Sequence, residues 1–221
     1  MYPLTAVELA DVFRQPNFPD LIRQFLFDQA HSRDPDAPLG MDVPLAQCPA
    51  FDSDIFVYHS MTAIFYSPSD TSGLRGTRQE CIRSTPCWRK HLPQRDTVFI
   101  TRDPTLTGIR RFDIVRILAL FSFVHENVFY PCALVRWFIY IADEPDEATG
   151  MWVVQPDRNA DGSPAIGVIH LDSVLRAAHL MPVFGDALMP IELRAENSLN
   201  AFQAFYINKY IDYHAFEIAS L

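Results

Sequence analysis

The chain has 221 residues, of which 49% are hydrophobic and 20% are charged, so it is long enough to bury a sizeable core. This composition excludes a disordered tail and a fibrous repeat, and the net charge of −9 argues against a generic nucleic-acid binder. Two counts are unusual: 17 prolines stand against 8 glycines, and among 18 basic residues only Lys90 and Lys209 are lysines.

The N-terminal sequence carries no targeting signal. MYPLTAVELAD lacks the basic and apolar regions of a signal peptide, so we expect a protein that is not secreted. The most apolar stretch, residues 128–142, is interrupted by Pro131 and Arg136 and is too short to span a bilayer, so we expect no membrane partner. None of the four cysteines belongs to a C-x-x-C pair, which favours a reduced intracellular protein whose thiols are free and mostly packed.

The first 50 residues predict a helix followed by an extended connection. Residues 17–31 form the helix, because Pro19 and Asp20 suit its first turn and apolar residues recur at helical spacing. This apolar face consists of Leu21, Ile22, Phe25 and Leu26. Four prolines within residues 32–54 favour an extended strap over regular structure. We therefore assign residues 1–50 to an N-terminal helix and a Pro-rich strap.

Strand patterns dominate the middle of the chain. The first runs from residue 54 to residue 66, whereas residues 67–95 are loop-rich with at most one helical turn. Further strands are predicted at residues 97–102, 112–124, 128–142, 151–155 and 165–171. The joins between them are short and carry turn residues, which favours antiparallel hairpins in a curled sheet or small β-barrel.

Two further helices are predicted near the C-terminal end, at residues 173–180 and 198–211, because apolar residues recur there behind capping residues. The fold class is therefore α+β: a curled antiparallel sheet or small β-barrel with an N-terminal helical arm and C-terminal helices. Residues 51–221 form the β-rich core domain with its closing helices.

Several local patterns bear on enzymatic chemistry. Residues 157–162 match the first half of an EF-hand, but Val168 occupies the position of the bidentate carboxylate, which favours a hairpin loop. The acids of residues 143–147 suit a solvated loop, although paired carboxylates also serve in metal or acid–base sites and attract basic partners. His125 and Cys132 flank one hairpin but lack a third orienting group. We expect no catalysis, no metal site and no cofactor.

The charge map gives a stronger signal. Residues 75–116 hold ten basic and four acidic residues, a net charge of +6, while the remainder carries −15. Arginine binds phosphate and carboxylate groups bidentately and stacks on bases, so this segment suits contact with nucleic acid or a protein partner. The best candidates for contact are Arg75, Arg78, Arg83, Trp88, Arg89 and Lys90. The alternative is that the arginines pair internally with acids or lie along strand surfaces.

Five segments resemble the C-terminal region of basidiomycete fungal proteins of the Plavaka-type transposase group. They are residues 57–89, 131–138, 143–157, 169–185 and 202–219, and the resemblance extends from about Phe18 onward. In that family this region lies downstream of the catalytic part, and the acidic triad of such transposases has no equivalent here. The resemblance implies a detached or truncated tail of a mobile-element protein, with an intracellular and nuclear location.

A fainter resemblance concerns architecture. Residues 96–100, 113–117 and 134–138 follow the layout of bromo-adjacent-homology (BAH) modules, which wind such strands into a small β-barrel and usually serve chromatin or protein interaction.

Together these observations predict a non-catalytic interaction module of transposon-derived origin, which binds protein, chromatin or nucleic acid. One alternative is a small hydrolase or metal-dependent enzyme that uses His125, Cys132 and the acids of residues 143–147. Another is a degenerate fragment without selected activity.

Overall fold

The computed structural model describes residues 4–34, 36–67, 75–88, 92–103, 105–184, 193 and 198–220. These residues form a mostly antiparallel sheet that curls into a half-barrel, accompanied by a few helices, which confirms the predicted α+β class with a curled sheet. The helices are α1 Ala6–Phe13, α2 Phe18–Ala30, α3 Ser198–Ala201 and α4 Tyr213–Ser220. The strands are β1 Ile55–Tyr58, β2 Ser60–Tyr66, β3 Thr77–Trp88, β4 Leu92–Arg95, β5 Thr97–Thr101, β6 Phe112–His125, β7 Val128–Tyr140, β8 Val153–Pro156, β9 Ile166–His170, β10 Val174–Ala177, β11 Leu180–Pro182 and β12 Phe205–Ile207.

The long β6–β7 hairpin is the centre of the fold. Its strands pair without interruption from Ile114 opposite Phe138 to His125 opposite Val128, apart from one bulge after Ile117. The two connecting residues, Glu126 and Asn127, both have positive φ, as a type I′ turn between twisted strands requires. Both strands bury apolar residues on their two faces, so the hairpin can support layers on either side.

The other strands extend this hairpin in both directions. The described residues form a nine-stranded sheet in the order β10-β5-β6-β7-β8-β12-β11, with β1 also paired to β6 and β9 also paired to β7. The strands β2, β3 and β4 form a separate three-stranded sheet, and β10 contacts both β2 and β3. The curled sheet therefore has an apolar interior between these layers.

The N-terminal helices cover one end of the β6–β7 hairpin. The helix predicted at residues 17–31 is present as α2, and α1 before it begins at a capping box formed by Thr5 and Glu8. Phe18 of α2 packs edge-on against Phe121 of β6 with ring centroids 5.3 Å apart. These helices thus share a hydrophobic cluster with β1, β6 and β7.

The Pro-rich connection after α2 contains two short 3-10 helices, Gly40–Asp42 and Leu45–Gln47. Arg23 of α2 fixes it by donating hydrogen bonds to the carbonyl oxygens of Leu45, Cys48 and Pro49. Gly40 lies so close to α2 that a Cβ atom there would be 2.3 Å from the carbonyl oxygen of Gln24.

The loop-rich prediction for residues 67–95 was wrong, because β3 and β4 occupy much of this segment. Among the side chains of β3 that the structure describes, Ile82 is the one fully buried apolar residue, and most of the others are polar. The strand forms because β2 supplies a continuous pairing partner from Ser60 to Tyr66, which no local pattern reveals.

The helix predicted at residues 173–180 was also wrong, since this segment forms β10 and the beginning of β11. The open edge of β5 binds β10 as a strand, and Arg176 of β10 pairs with carboxylates on either side. Of the helix predicted at residues 198–211, only α3 forms before the chain turns into β12. The final helix is α4, which begins after that segment.

None of the helices in the described part of the chain is long and apolar enough to cross a membrane. All four cysteines are unpaired: Cys48 and Cys132 are buried, whereas Cys81 and Cys87 are exposed on β3. The expectation of mostly packed thiols therefore holds for half of them.

Candidate functional site

The structure does not bring the predicted contact residues of β3 onto one surface. Arg75 is exposed immediately before β3, with a positive φ of 55°. Arg78 lies opposite Phe65 and Arg83 lies opposite Ser60 in an uninterrupted register. Because they are an odd number of residues apart, their side chains point to opposite faces of the strand.

Of the other predicted contact residues, Trp88 ends β3, and only its backbone is described. Arg89 and Lys90 lie outside the described residues. Their contact with a partner stays a prediction.

Two other arginines of residues 75–116 pair internally. Arg102 lies 3.6 Å from Asp113. Arg110 donates to Asp143 at 2.8 Å and stacks over the Trp152 ring at 4.8 Å. This part of the basic segment therefore stabilises loops rather than forming a continuous basic face.

A different group of arginines meets on the β6–β7 hairpin. Arg116 of β6 and Arg136 of β7 lie directly opposite each other, and such pairs share a face with Cβ atoms about 5 Å apart. Arg116 is only 8% exposed, and its Nη1 donates to Oδ1 of Asn200 at 2.9 Å. The buried Nε atoms of both arginines have no hydrogen-bond partner among the described residues. Two like charges therefore face each other with unused donors.

Two further arginines surround this pair. Arg95, exposed at the end of β4, acts electrostatically on Arg116, and Arg158, in the loop after β8, acts on Arg136. Nη1 of Arg158 donates to the carbonyl oxygen of Gly162 at 2.8 Å. We call Arg95, Arg116, Arg136 and Arg158 the arginine cleft. Within the described ranges, no carboxylate forms an ion pair with any of the four.

Burial and neighbouring positive charges disfavour the charged forms of Arg116 and Arg136. Burial, and then the charges of Arg95 and Arg136, lower the pKa of Arg116 to about 10. Burial and the charge of Arg158 likewise lower the pKa of Arg136. Both guanidinium groups still carry their proton at neutral pH, because arginine begins from a very high pKa. A bound anion would relieve this repulsion.

The four residues of the arginine cleft line two adjacent cavities. The inner slot has a volume of about 160 Å³ and is lined by Arg95, Arg116 and Arg136 together with apolar side chains. The outer groove has a volume of about 620 Å³ and contains Arg158. Arg136 and Asn200 line both cavities, so the slot lies beside the groove. The bulge after Ile117 places Leu118 in the slot wall.

Arg176 offers a contrast, because its charge is fully compensated. It is 0% exposed and donates to Oε1 of Glu80 at 2.7 Å and to Oδ2 of Asp212 at 2.6 Å. Its guanidinium also lies 4.7 Å from the centre of the Phe65 ring. This cluster ties β10 to β3 and to the C-terminal segment, and both Nη atoms of Arg176 donate to carboxylates, although its buried Nε has no hydrogen-bond partner among the described residues.

The residues of the alternative enzyme hypothesis do not converge. His125 lies at the tip of the β6–β7 hairpin, whereas Cys132 pairs with Phe121, four residues back along β6, which is about 13 Å at the rise of a strand. Burial strongly raises the pKa of the Cys132 thiol, so it stays protonated. This geometry gives the hypothesis no support.

The acidic loops are held by their own hydrogen bonds. Asp146 accepts from the backbone N–H and the hydroxyl of Thr149, and these contacts lower its pKa. In the loop that resembles an EF-hand, Asp161 accepts from the N–H of Ser163. No cluster of potential metal ligands occurs among the residues that the structure describes.

One sequence signal could have identified the arginine cleft. Arg116 and Arg136 are the arginines inside the two most apolar strands, in the sequences DIVRIL and ALVRWF. A charged residue flanked by buried apolar neighbours is unusual enough to indicate a functional position. The predicted contact residues lie instead around Trp88, within residues 75–90.

No protein-family model, curated protein or solved structure matches the chain.

Proposed function

We propose that the chain is a non-catalytic interaction module that binds an anionic group of its partner in the arginine cleft. The observation that carries this proposal is the direct opposition of Arg116 and Arg136 with no carboxylate paired to either within the described ranges.

The energetic argument is that this opposition costs stability in the free protein. Like charges directly opposite each other on two strands are destabilising, and each buried donor left unpaired adds its desolvation penalty. Guanidinium groups compensate such penalties by binding phosphate or carboxylate bidentately. An arrangement that is unfavourable alone and favourable with an anion is typical of a binding site.

The transposon-derived origin and the nuclear location remain proposals that rest on the sequence resemblance. The BAH-like layout likewise remains a proposal from the sequence; its three segments fall on or beside β5, β6 and β7 of the curled sheet. Contact of a partner with Arg75, Arg78, Arg83, Trp88, Arg89 and Lys90 stays a separate prediction, which this proposal does not need.

Inorganic phosphate is a suitable probe of the arginine cleft. In two-dimensional ¹H–¹⁵N spectra of the arginine Nε–H groups, we expect phosphate to shift the signals of Arg116 and Arg136. At twenty times its Kd, phosphate should also raise the stability by about 2 kcal/mol. Sodium chloride at matched ionic strength separates specific binding from screening.

A pair of charge-matched variants makes the experiment specific. Arg116→Met/Arg136→Gln should abolish the stabilisation, whereas Arg33→Gln/Arg102→Gln removes two exposed arginines elsewhere and should preserve it. The absence of any shift at Arg116 and Arg136, or equal stabilisation of the two double variants, would show that the arginine cleft does not bind anions.

A further inference from the structure

We propose that the natural ligand of the arginine cleft is a phosphorylated peptide, whose phosphomonoester enters the inner slot while the adjoining peptide lies in the outer groove. This inference rests on the proposed function and adds the class of ligand.

The charge of the inner slot matches a phosphomonoester better than a carboxylate. Arg95, Arg116 and Arg136 line the slot, and no carboxylate of the described residues forms an ion pair with any of them. A phosphomonoester carries a charge of about −1.5 to −2 and three acceptor oxygens, whereas a carboxylate carries one charge and two oxygens. Only the phosphomonoester can accept from several guanidinium groups while compensating more than one charge.

The buried Nε atoms supply the directional part of the recognition. Arg116 is more than nine-tenths buried, and Asn200 holds its Nη1 while Nε stays unpaired. Nε of Arg136 is unpaired in the same way on the opposite strand. Because the strands fix both stems, the guanidinium groups are largely preorganised and lose little freedom when an anion binds.

The size of the slot favours one isolated phosphate over a nucleic-acid backbone. Its volume of about 160 Å³ is about a quarter of the groove volume, and its walls include the apolar side chains of Phe13, Leu118 and Ile166. Nucleic acids are bound through rows of successive phosphate contacts along a basic track. Here the basic groups form one compact cluster on a chain with a net charge of −9, which repels a polyanion beyond the first phosphate.

The outer groove has the composition of a peptide site. Gln155, Asn200 and Gln203 line it with side-chain amides, which both donate to and accept from a peptide backbone. Leu199 and Phe202 add apolar surface for one or two ligand side chains. Asp157 also lines this groove but not the inner slot, so the negative charge lies away from the place assigned to the phosphate.

Fluorescence anisotropy with degenerate peptides tests the inference without knowledge of the natural sequence. The probes are labelled nonapeptide pools with a fixed central phosphoserine or phosphotyrosine, the same pools with serine or tyrosine, and a 20-base-pair DNA duplex. We expect at least one phosphorylated pool to bind at least tenfold more tightly than its unphosphorylated counterpart. Arg116→Met/Arg136→Gln should abolish that difference, Arg33→Gln/Arg102→Gln should preserve it, and inorganic phosphate should compete.

Two results would overturn the inference. Equal binding of phosphorylated and unphosphorylated pools would exclude phosphopeptides, even if inorganic phosphate still shifts the Nε–H signals of the arginine cleft. Tighter binding of the DNA duplex that depends on Arg116 and Arg136 would assign the arginine cleft to nucleic acid. In both cases the proposed function survives, because it fails only if phosphate itself does not bind there.

Discussion

Arg116 and Arg176 are both buried arginines, but removing each should change the stability in opposite directions. Arg176 forms ion pairs with two carboxylates, whereas Arg116 faces another arginine and forms no ion pair with a carboxylate within the described ranges. We expect Arg116→Met to stabilise the protein and Arg176→Met to destabilise it. Methionine retains a long unbranched stem, so the comparison isolates the charge.

The expected sizes follow from the surroundings of each residue. Burial lowers the pKa of Arg116 to about 10, which corresponds to at most about 3 kcal/mol of unfavourable charge burial. Against this gain, the variant loses the hydrogen bond from Arg116 to Asn200, which lowers the stability by about 1.5–2 kcal/mol. The net gain is about 1–1.5 kcal/mol, or a rise in Tm of about 2–6 °C for a chain of this size.

Arg176→Met should instead cost about 3–5 kcal/mol, because it leaves two partly buried carboxylates without their shared partner. The corresponding decrease in Tm is on the order of 10 °C.

Urea unfolding followed by circular dichroism at pH 7 measures both effects. Arg102→Gln serves as the control, since its side chain is 64% exposed and the substitution should change the stability by less than about 0.5 kcal/mol. A loss of 1 kcal/mol or more in Arg116→Met would refute the reasoning, because it would mean that the charge of Arg116 is compensated in the free protein.

Four further predictions concern other parts of the structure. Burial opposes ionisation of Asp212, but the hydrogen bonds from Arg176 and from the backbone N–H of Ala215, together with the charges of Arg176 and His214, outweigh burial and lower the pKa to about 2. The stability present above the ordinary value of 3.8 is therefore lost as the pH falls toward 2. Burial and the Arg176 charge lower the pKa of His214, so the stability also decreases as the pH falls below 6.5. His214→Phe should remove this decrease, which urea unfolding between pH 7 and 5 measures. Gly40→Ala places a Cβ atom 2.3 Å from the Gln24 carbonyl oxygen and should cost about 1–3 kcal/mol by the same measurement, whereas an unchanged midpoint would mean that the connection after α2 moves freely. In the native protein, two thiols should react rapidly with Ellman's reagent and two only after unfolding; fast reaction of all four would contradict the assigned burial. The fast pair is Cys81 and Cys87, and the slow pair is Cys48 and Cys132.

The parts of the fold that were predictable from the sequence are those with local signals. The β6–β7 hairpin has two long apolar runs joined by a short polar turn, and α2 has a clear apolar face behind its N-terminal proline. By contrast, β3 and β10 are strands because of their partners, β2 and β5. A segment whose conformation is set by pairing with a distant edge carries little local evidence of it.

The charge map of the sequence did not predict the arginine cleft, for a related reason. Arg95 and Arg116 belong to the basic segment of residues 75–116, but Arg136 and Arg158 lie outside it. Only the register of β6 against β7 brings Arg136 opposite Arg116, and a shift of one residue would move the two side chains to opposite faces. Counting charges along the chain does not show which residues lie opposite each other on paired strands.

The short turn of the β6–β7 hairpin has a consequence for the order of folding. Two residues separate the strands, so closing this hairpin loses little chain entropy, and hairpins of this kind form within about 1–10 μs. The contact between Thr97 and Ala178, beside the β5–β10 pair, joins residues 81 positions apart, so it forms only after a long loop of the chain has closed. We therefore expect the hairpin to act as the folding nucleus, with substitutions inside it slowing folding, whereas substitutions in β10 mainly accelerate unfolding.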